Sequence, residues 1–401
     1  MNIILTVLSL GFYVLGFFLL LNVIYLLFFA LAGHRATPVL QSGVESTQRV
    51  CLLLPAYQAD TIIAETAPAA KQHAYAGIAD VYVIADGLQP ATIQALRAQQ
   101  INVVEVFFEK STKGKALLAA LTELPTGAYD VAVILDVDNV MAPGFLAQVN
   151  AAFAAGYRVV QGHRTAKNLD SPFAVLDACN EEINNHIFRR GHANLGMSSA
   201  LIGSGMAFEY DYLKQLLQTI GDTPGEDKEL DFSILRDKVK IAYLPSAYVY
   251  DEKIPNAKVF ATQRTRWLAT QQEFLVKYFG EGLRQLRQGN LDFVDKILQS
   301  MLLPRVLLLG VLGCLLVLSL LWRVGPGSSF WLMLLLGTAL ALLLSLPKRL
   351  YTLQVGRAVL HLPVALSAMM LALLQIRKAK TSFMPTPHTA RPVDSAGSSL
   401  K

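Results

Sequence analysis

The chain has 401 residues, 53% hydrophobic and only 16% charged, against about 25% charged in an average soluble domain; this argues for a membrane protein carrying about one globular domain. Its net charge of +5 divides unevenly, residues 1–300 summing to −4 and residues 301–401 to +9, so the basic excess lies beside the apolar runs of the C-terminal quarter and a nucleic-acid-binding body is excluded. Cys51, Cys179 and Cys314 have neither metal spacing nor the makings of a disulfide framework, which fits a globular part in a reducing, cytosolic compartment.

In chain order, Ile3 to Ala32 is an apolar run with no charge before Arg35, long enough to cross a bilayer with some tilt. Ala30-Leu31-Ala32 has the form of a cleavage site, but the missing basic n-region and the length of the run favour an uncleaved anchor. From Gln48 the pattern changes. Val50 to Leu54, Val81 to Ile84, Ile101 to Phe107 and Val131 to Leu135 are short continuous apolar runs, and helical segments are expected at Asp60 to His73 and Lys115 to Leu124. Strands apolar throughout that alternate with helices predict a mainly parallel α/β sheet covered on both faces, with ligands bound beyond the strands' carboxyl ends. Tyr57, Asp86, Asp136 and Asp138 follow three of those runs.

Beyond the globular part, Val306 to Trp322 and Phe330 to Leu346 are joined by Arg323-Val-Gly-Pro-Gly-Ser-Ser329 and predict a membrane hairpin. Ala358 to Ile376 is apolar but contains His361 and Pro363. Laid in the interface, it lets Arg35, Lys348, Arg349, Arg357, Arg377, Lys378 and Lys380 all face the cytosol, which the positive-inside rule favours over a further span.

The chemistry-bearing residues fall at loops and one helix. Asp136-Val-Asp138 puts two carboxylates on one turn, where both can approach a hard divalent cation that also holds a diphosphate. Alone, such a turn is more often merely solvated. Lys113-Gly114-Lys115 precedes that turn, and further along are Gly225-Glu226-Asp227 and Gln263-Arg264-Thr265-Arg266-Trp267, the last on a helix expected to start near Asn256.

With these residues in this order the chain resembles the inverting glycosyltransferases of family 2, of the membrane-embedded type that includes cellulose, chitin, hyaluronan and poly-N-acetylglucosamine synthases. The resemblance rests on Asp86, Asp136/Asp138, Glu226/Asp227 and Gln263/Arg266/Trp267, and covers Val50 to Trp267 with the flanking spans. It implies a GT-A type nucleotide-sugar-binding domain, a UDP-sugar or other nucleoside diphosphate sugar as donor, and Mg²⁺ or Mn²⁺ as cofactor. Asp227 is then the base, with Glu226 positioning it or the acceptor. Asp138 holds the metal, with Asp136 in the metal shell or near the ribose. Tyr57, Asp86, Lys115, Gln263, Arg264 and Arg266 serve the donor. Trp267 offers a platform to the acceptor, beside a small-residue turn at Gly203, Ser204 and Gly205. Departures from the family pattern are Gln58-Ala59 after Tyr57, Ala85 before Asp86, and Gly225 where a Thr is usual. In the tail, Phe383 and Thr386 resemble residues of a segment that covers the donor site in some synthases. His163, His186 and His192 have no ligand spacing.

The expected organisation is an anchor at 1–34, a cytosolic catalytic domain at 48–280, interfacial helices and a hairpin at 281–376, and a cytosolic tail at 377–401. The expected activity is transfer to a saccharide, building a β-linked oligo- or polysaccharide at the plasma (inner) membrane. A lipid acceptor of the ceramide, diacylglycerol or polyprenol type is the alternative, and a non-catalytic scaffold the reading from another class.

Overall fold

The computed structural model describes residues 3–36, 47–221, 223, 225–253, 256–322 and 324–379. Arg323 and the tail from Lys380, with Phe383 and Thr386, lie outside them, as do the side chains of Arg377 and Lys378. The chain begins with α1 (Ile3–Ala32) and then alternates β1 (Val50–Tyr57), α2 (Asp60–Lys71), β2 (Ala79–Asp86), α3 (Pro90–Ala98), β3 (Asn102–Val106), α4 (Lys113–Glu123) and β4 (Val131–Ile134). After β5 (Val140–Met141) come α5 (Phe145–Ala154), β6 (Val159–Ala166), α6 (Pro172–Asn184), β7 (Met206–Glu209), α7 (Tyr210–Ile220), α8 (Glu226–Arg236) and β8 (Ile241–Asp251). The remainder is helical: α9 (Ala257–Arg287), α10 (Leu291–Met301), α11 (Arg305–Leu321), α12 (Ser328–Ser345), α13 (Leu353–Val359) and α14 (Leu362–Ala379).

The eight strands form one sheet in the order β3-β2-β1-β4-β7-β6-β8-β5. β3, β2, β1 and β4 are parallel, as their apolar runs predict. Because side chains alternate along a strand, Leu52 and Leu54 join one core with Ile63 of α2 and Phe145 of α5, while Cys51 and Leu53 join another with Leu117 of α4 and Leu213 of α7. The far half departs from the parallel expectation, since β7 runs antiparallel between β4 and β6. An antiparallel strand starts where its parallel neighbour ends, so Gly203-Ser204-Gly205, just before β7, meets the carboxyl edge of β4, with Gly205 N donating to Ile134 O at 2.9 Å. The strand order also reverses at β1/β4, which opens a crevice at the same edge.

Outside the sheet, α1 packs through Leu19, Val23 and Leu26 against Leu308 and Leu312 of α11 and Trp331 and Leu334 of α12. By length and composition α1, over Leu5–Ala32, and α12 can each cross a membrane. Two bent pairs, α10 with α11 at 54° and α13 with the first part of α14 at 43°, raise that number to four if each pair is one span. The second bend falls at His361 and Pro363. Beyond it α14 lies against α9, Ala365, Ala368 and Met369 sharing an apolar cluster with Phe260 and Leu268.

Candidate active site

A cleft of about 730 Å³ opens at the carboxyl edge of the sheet and runs down between α6, α9, α11 and α14. Tyr57 and Asp86 end their strands opposite one another in the β1/β2 register, and both line it. So do Asp136 and Asp138 on the turn after β4, Gly203, Glu226 and Asp227 at the start of α8, and Gln263, Arg264, Arg266 and Trp267 on α9. Residues from six separate stretches of sequence thus meet around one space.

Some expected residues stand elsewhere. Lys115 does not line the cleft: its Nζ donates to Lys110 O at 3.1 Å, and Lys113 takes the inward place. The reason is where α4 begins. Thr112 caps the helix, its hydroxyl accepting from Lys115 N at 3.3 Å, which leaves Lys113 as the first helical residue. Its Nζ pairs with Asp136 and donates to Gly203 O at 2.6 Å. Ser204 is fully buried, its hydroxyl bonding Asn139 rather than facing the cleft, and Gly205 is held in the sheet. Arg264, expected to clamp phosphate, is already engaged: it pairs with Asp177 at 2.6 Å and its guanidinium lies 4.1 Å from the Trp267 ring centre. It therefore fixes the angle of Trp267, which stays 38% exposed toward the cleft.

The two acidic residues of α8 are pushed apart electrostatically. Burial raises Glu226 to about 7, with Lys113 opposing and Asp227 reinforcing the shift. Burial would also raise Asp227, but Lys228, a backbone hydrogen bond, Lys113 and Lys296 outweigh it and hold its carboxyl below the ordinary value. Two adjacent carboxyls with opposite shifts divide into an ionised group and a protonatable one. Asp227 also adjoins Gly203: a Cβ built there would sit 3.7 Å from Asp227 Cβ, and Gly203 has φ +84°.

Folded-state protonation of Glu226 carries a stability consequence. Its folded pKa lies above the ordinary 4.5, so the native state binds more protons than the unfolded one between those values, and stability falls as pH rises from about 4.5 to about 7. Glu226→Gln is expected to raise stability at pH 8 by on the order of 1–2 kcal/mol in cation-free buffer, seen as a higher thermal midpoint, and to change it little at pH 4.5. Melting curves at the two pH values check this, and equal effects at both would contradict it.

A second layer of charge lies behind these residues. Arg164 of β6 bonds Glu181 at 3.0 Å and approaches Asp136 at 3.8 Å and Asp251 at 3.9 Å. Glu181 is shared with Lys253 at 3.7 Å and Arg189 at 3.9 Å, and Lys253 also pairs with Asp251 at 2.8 Å. Burial alone would raise Glu181, but those cations hold it well below the usual carboxylate range. Asp138, 2% exposed, accepts from Glu252 N at 3.0 Å and from Asn139 at 3.3 Å. None of Arg164, Glu181, Asp251 or Lys253 was singled out from the sequence. The available signal was polar Gln161, His163, Arg164 and Thr165 inside one strand run, facing acidic Asp177, Glu181 and Glu182 on the next helix.

Gly225, where the resemblance leads one to expect Thr, has a local explanation. A Cβ there would lie 2.9 Å from Thr270 Cγ2 and 3.1 Å from Phe274 Cε2 of α9, too close for any side chain. Gly225→Thr is expected to push α9 away, lower stability by about 1–3 kcal/mol and weaken whatever binding Trp267 supports. Thermal melting compared with wild type checks this, and an unchanged midpoint would contradict it.

A family profile described as Glycosyltransferase like family 2 matches residues 48–270, more than half of the chain. The chain belongs to glycosyltransferase family 2. No curated protein matches it by sequence. Among solved structures, the mannosyltransferase PcManGT from Pyrobaculum calidifontis, in complex with GDP-Man and Mn²⁺, is similar with a TM-score of 0.51 at 15% identity, covering 93% of this chain and 99% of that one. That likeness is one of fold. Glucosyl-3-phosphoglycerate synthase from Mycobacterium tuberculosis, in complex with Mn²⁺, UDP and glucosyl-3-phosphoglycerate, aligns at 18% identity over 57% of this chain and 81% of its own, with a TM-score of 0.36. The matched residues span the sheet and the part of α9 that carries Gln263 to Trp267, and the fold is the GT-A type α/β fold that the resemblance implied.

Proposed function

We propose that the protein is an inverting, divalent-cation-assisted glycosyltransferase of the membrane-embedded type, moving a sugar from a nucleoside diphosphate to an acceptor hydroxyl at the cytosolic face of a membrane. The observation that carries this is the pairing of an ionised Asp227 beside Gly203 with the Asp136/Asp138 turn and Lys113 in one cleft. Inverting transfer needs a base for the acceptor and charge stabilisation for the leaving diphosphate, and those are the two ends of that arrangement. In this reading Tyr57 and Asp86 receive the nucleoside. Asp227 takes the acceptor proton as the acceptor oxygen bonds to the anomeric carbon and the diphosphate leaves with the electron pair of the broken bond. Lys113 holds Asp136 and neutralises charge beside it, Gln263 and Arg266 face the diphosphate, and Trp267 stacks against the acceptor.

Among the described residues no three His, Cys, Asp or Glu side chains gather around one point, so these residues offer no complete metal cage. Mg²⁺ characteristically takes one or two carboxylates and completes its shell with substrate phosphates, and that donor set fits Asp138 with Asp136 next to it. A bound cation would neutralise the leaving diphosphate. The mannosyltransferase of similar fold was solved with Mn²⁺ and a nucleotide sugar, which supports the same cofactor class here. Chelation with EDTA is expected to abolish nucleoside diphosphate release from a sugar donor, and Mg²⁺ or Mn²⁺ to restore it. Full release by the chelated protein would contradict the cation's role.

Membrane placement is supported by α1 and α12 and by the large apolar side chains they leave exposed, such as Phe17 at 62% and Leu336 at 60%; soluble monomers rarely expose extended apolar faces. The basic residues around the C-terminal helices support a cytosolic side for the domain, and the plasma (inner) membrane is the membrane proposed. α14, packed along α9, suits the interfacial reading better than a free span. The apolar lower wall of the cleft favours a lipid-borne acceptor over a growing polysaccharide.

A further inference from the structure

The catalytic residues use only the upper part of the cleft. Its lower part is walled by Leu26 of α1, Leu303, Val306 at the start of α11, and Ala365 and Met369 of α14, all on or beside helices assigned to the bilayer or its interface. Such a wall alone would suit any apolar chain, but one polar group in it is anomalous. Arg305, the first residue of α11, also lines the cleft. Its Nη2 donates to Asn180 Oδ1 and O and to Asn184 Oδ1, the last at 2.7 Å, all neutral acceptors. Its Nη1 is buried and makes no hydrogen bond, and among the described residues no carboxylate lies within ion-pairing distance of it. A guanidinium nitrogen withdrawn from water with neither a hydrogen bond nor a counter-charge is costly. The surroundings do not compensate: Arg264 is matched by Asp177, while Glu181 is divided among Arg164, Lys253 and Arg189. The lower cleft therefore lacks an anion that none of its own side chains supplies.

We propose that the acceptor is a membrane lipid bearing a phosphate, with the phosphate held at Arg305, the lipid chain laid against the apolar wall, and the sugar-accepting hydroxyl of the headgroup reaching Asp227. An arginine fork is suited to phosphate oxygens through two parallel donors; Arg305 is only partly covered and lines the cleft, so a phosphate can approach it there, and the covered Nη1 is the donor that the asparagines of α6 leave unused once the guanidinium turns to meet the ligand. The acceptor role rests on the transferase reading above; the binding site does not. The phosphate could equally belong to a soluble ion, and the experiment separates the two.

The test uses the full-length protein in neutral detergent micelles and the probes dodecyl phosphate, dodecanol and inorganic phosphate, with binding measured by titration. Dodecyl phosphate is expected to bind at least tenfold more tightly than either of the others. Arg305→Gln should lose that preference and Arg305→Lys should recover part of it, with both variants titrated with a nucleoside diphosphate to confirm a folded domain. Equal binding of dodecanol would overturn the phosphate site in favour of a neutral lipid, equal binding of inorganic phosphate would reduce it to a soluble-anion site, and undiminished binding by Arg305→Gln would remove the residue from it. Donor turnover by the wild type, measured alongside, tests the transferase reading separately: turnover without a preference for dodecyl phosphate sinks the acceptor assignment alone.

Discussion

Asp227→Asn is expected to lower sugar transfer by about 10²–10⁴-fold, the range of a positioned general base, while nucleotide affinity and thermal midpoint stay close to wild type. The reason is local. Asp227 stands beside Gly203, partly exposed to the cleft and ionised, because Lys228, Lys113 and Lys296 favour its charged form. Asparagine keeps the shape and removes only the proton acceptor. Glu226→Gln should cost much less, since the Glu226 carboxyl is near its midpoint at neutral pH and cannot be the permanently ionised base. Steady-state turnover with nucleotide binding measured in parallel distinguishes the two variants. Full activity in Asp227→Asn would move the base elsewhere in the cleft.

Glu181→Gln is expected to be the most destabilising conservative substitution near the site. The carboxylate faces three buried cations, Arg164 at 3.0 Å, Lys253 at 3.7 Å and Arg189 at 3.9 Å. Removing its charge leaves Arg189 without its ion-pair partner and Arg164 and Lys253 with only the more distant or shared Asp136 and Asp251, and breaking a buried ion pair costs about 3–5 kcal/mol. In a chain of this size that corresponds to a fall of roughly 5 °C in thermal midpoint. The loss should reach the active site, because Arg164 also approaches Asp136 and Asp251. Arg164→Met combined with Glu181→Gln should lose less than the sum of the two single changes, since each removes the other's unpaired charge. A melting series over the four proteins decides this, and strict additivity would show that the two residues do not act as one network.

The parts of this site that were legible in the sequence share a physical origin. Tyr57, Asp86 and Asp136/Asp138 sit where an apolar strand stops, and in a parallel sheet that is where polar side chains converge. Gln263, Arg266 and Trp267 share one face of a helix by their spacing. The less legible parts depend on phase and on distance along the chain. Lys113 and Lys115 are equivalent on paper, and only the Thr112 cap decides which is the first helical residue. Arg264 and Arg266 both read as phosphate ligands until α6 brings Asp177 against Arg264. Arg164, Glu181, Asp251 and Lys253 come from a strand, a helix and a strand end that the antiparallel β7 and its neighbours bring together. No local pattern marks such a cluster, apart from polar residues embedded in an apolar strand. Nor does a local pattern mark Arg305, which was not singled out from the sequence; the structure brings it to the cleft, with no carboxylate within ion-pairing distance among the described residues.

The central claim, that this cleft transfers a sugar from a nucleoside diphosphate, is tested most directly by incubating the purified full-length protein and Mg²⁺ or Mn²⁺ with a panel of nucleotide sugars and a membrane lipid extract. Nucleoside diphosphate release and the partition of labelled sugar into organic solvent are then followed. The account predicts cation-dependent release from one donor class, with the label in the organic phase and both signals lost in Asp227→Asn. Absence of release from every donor would contradict it.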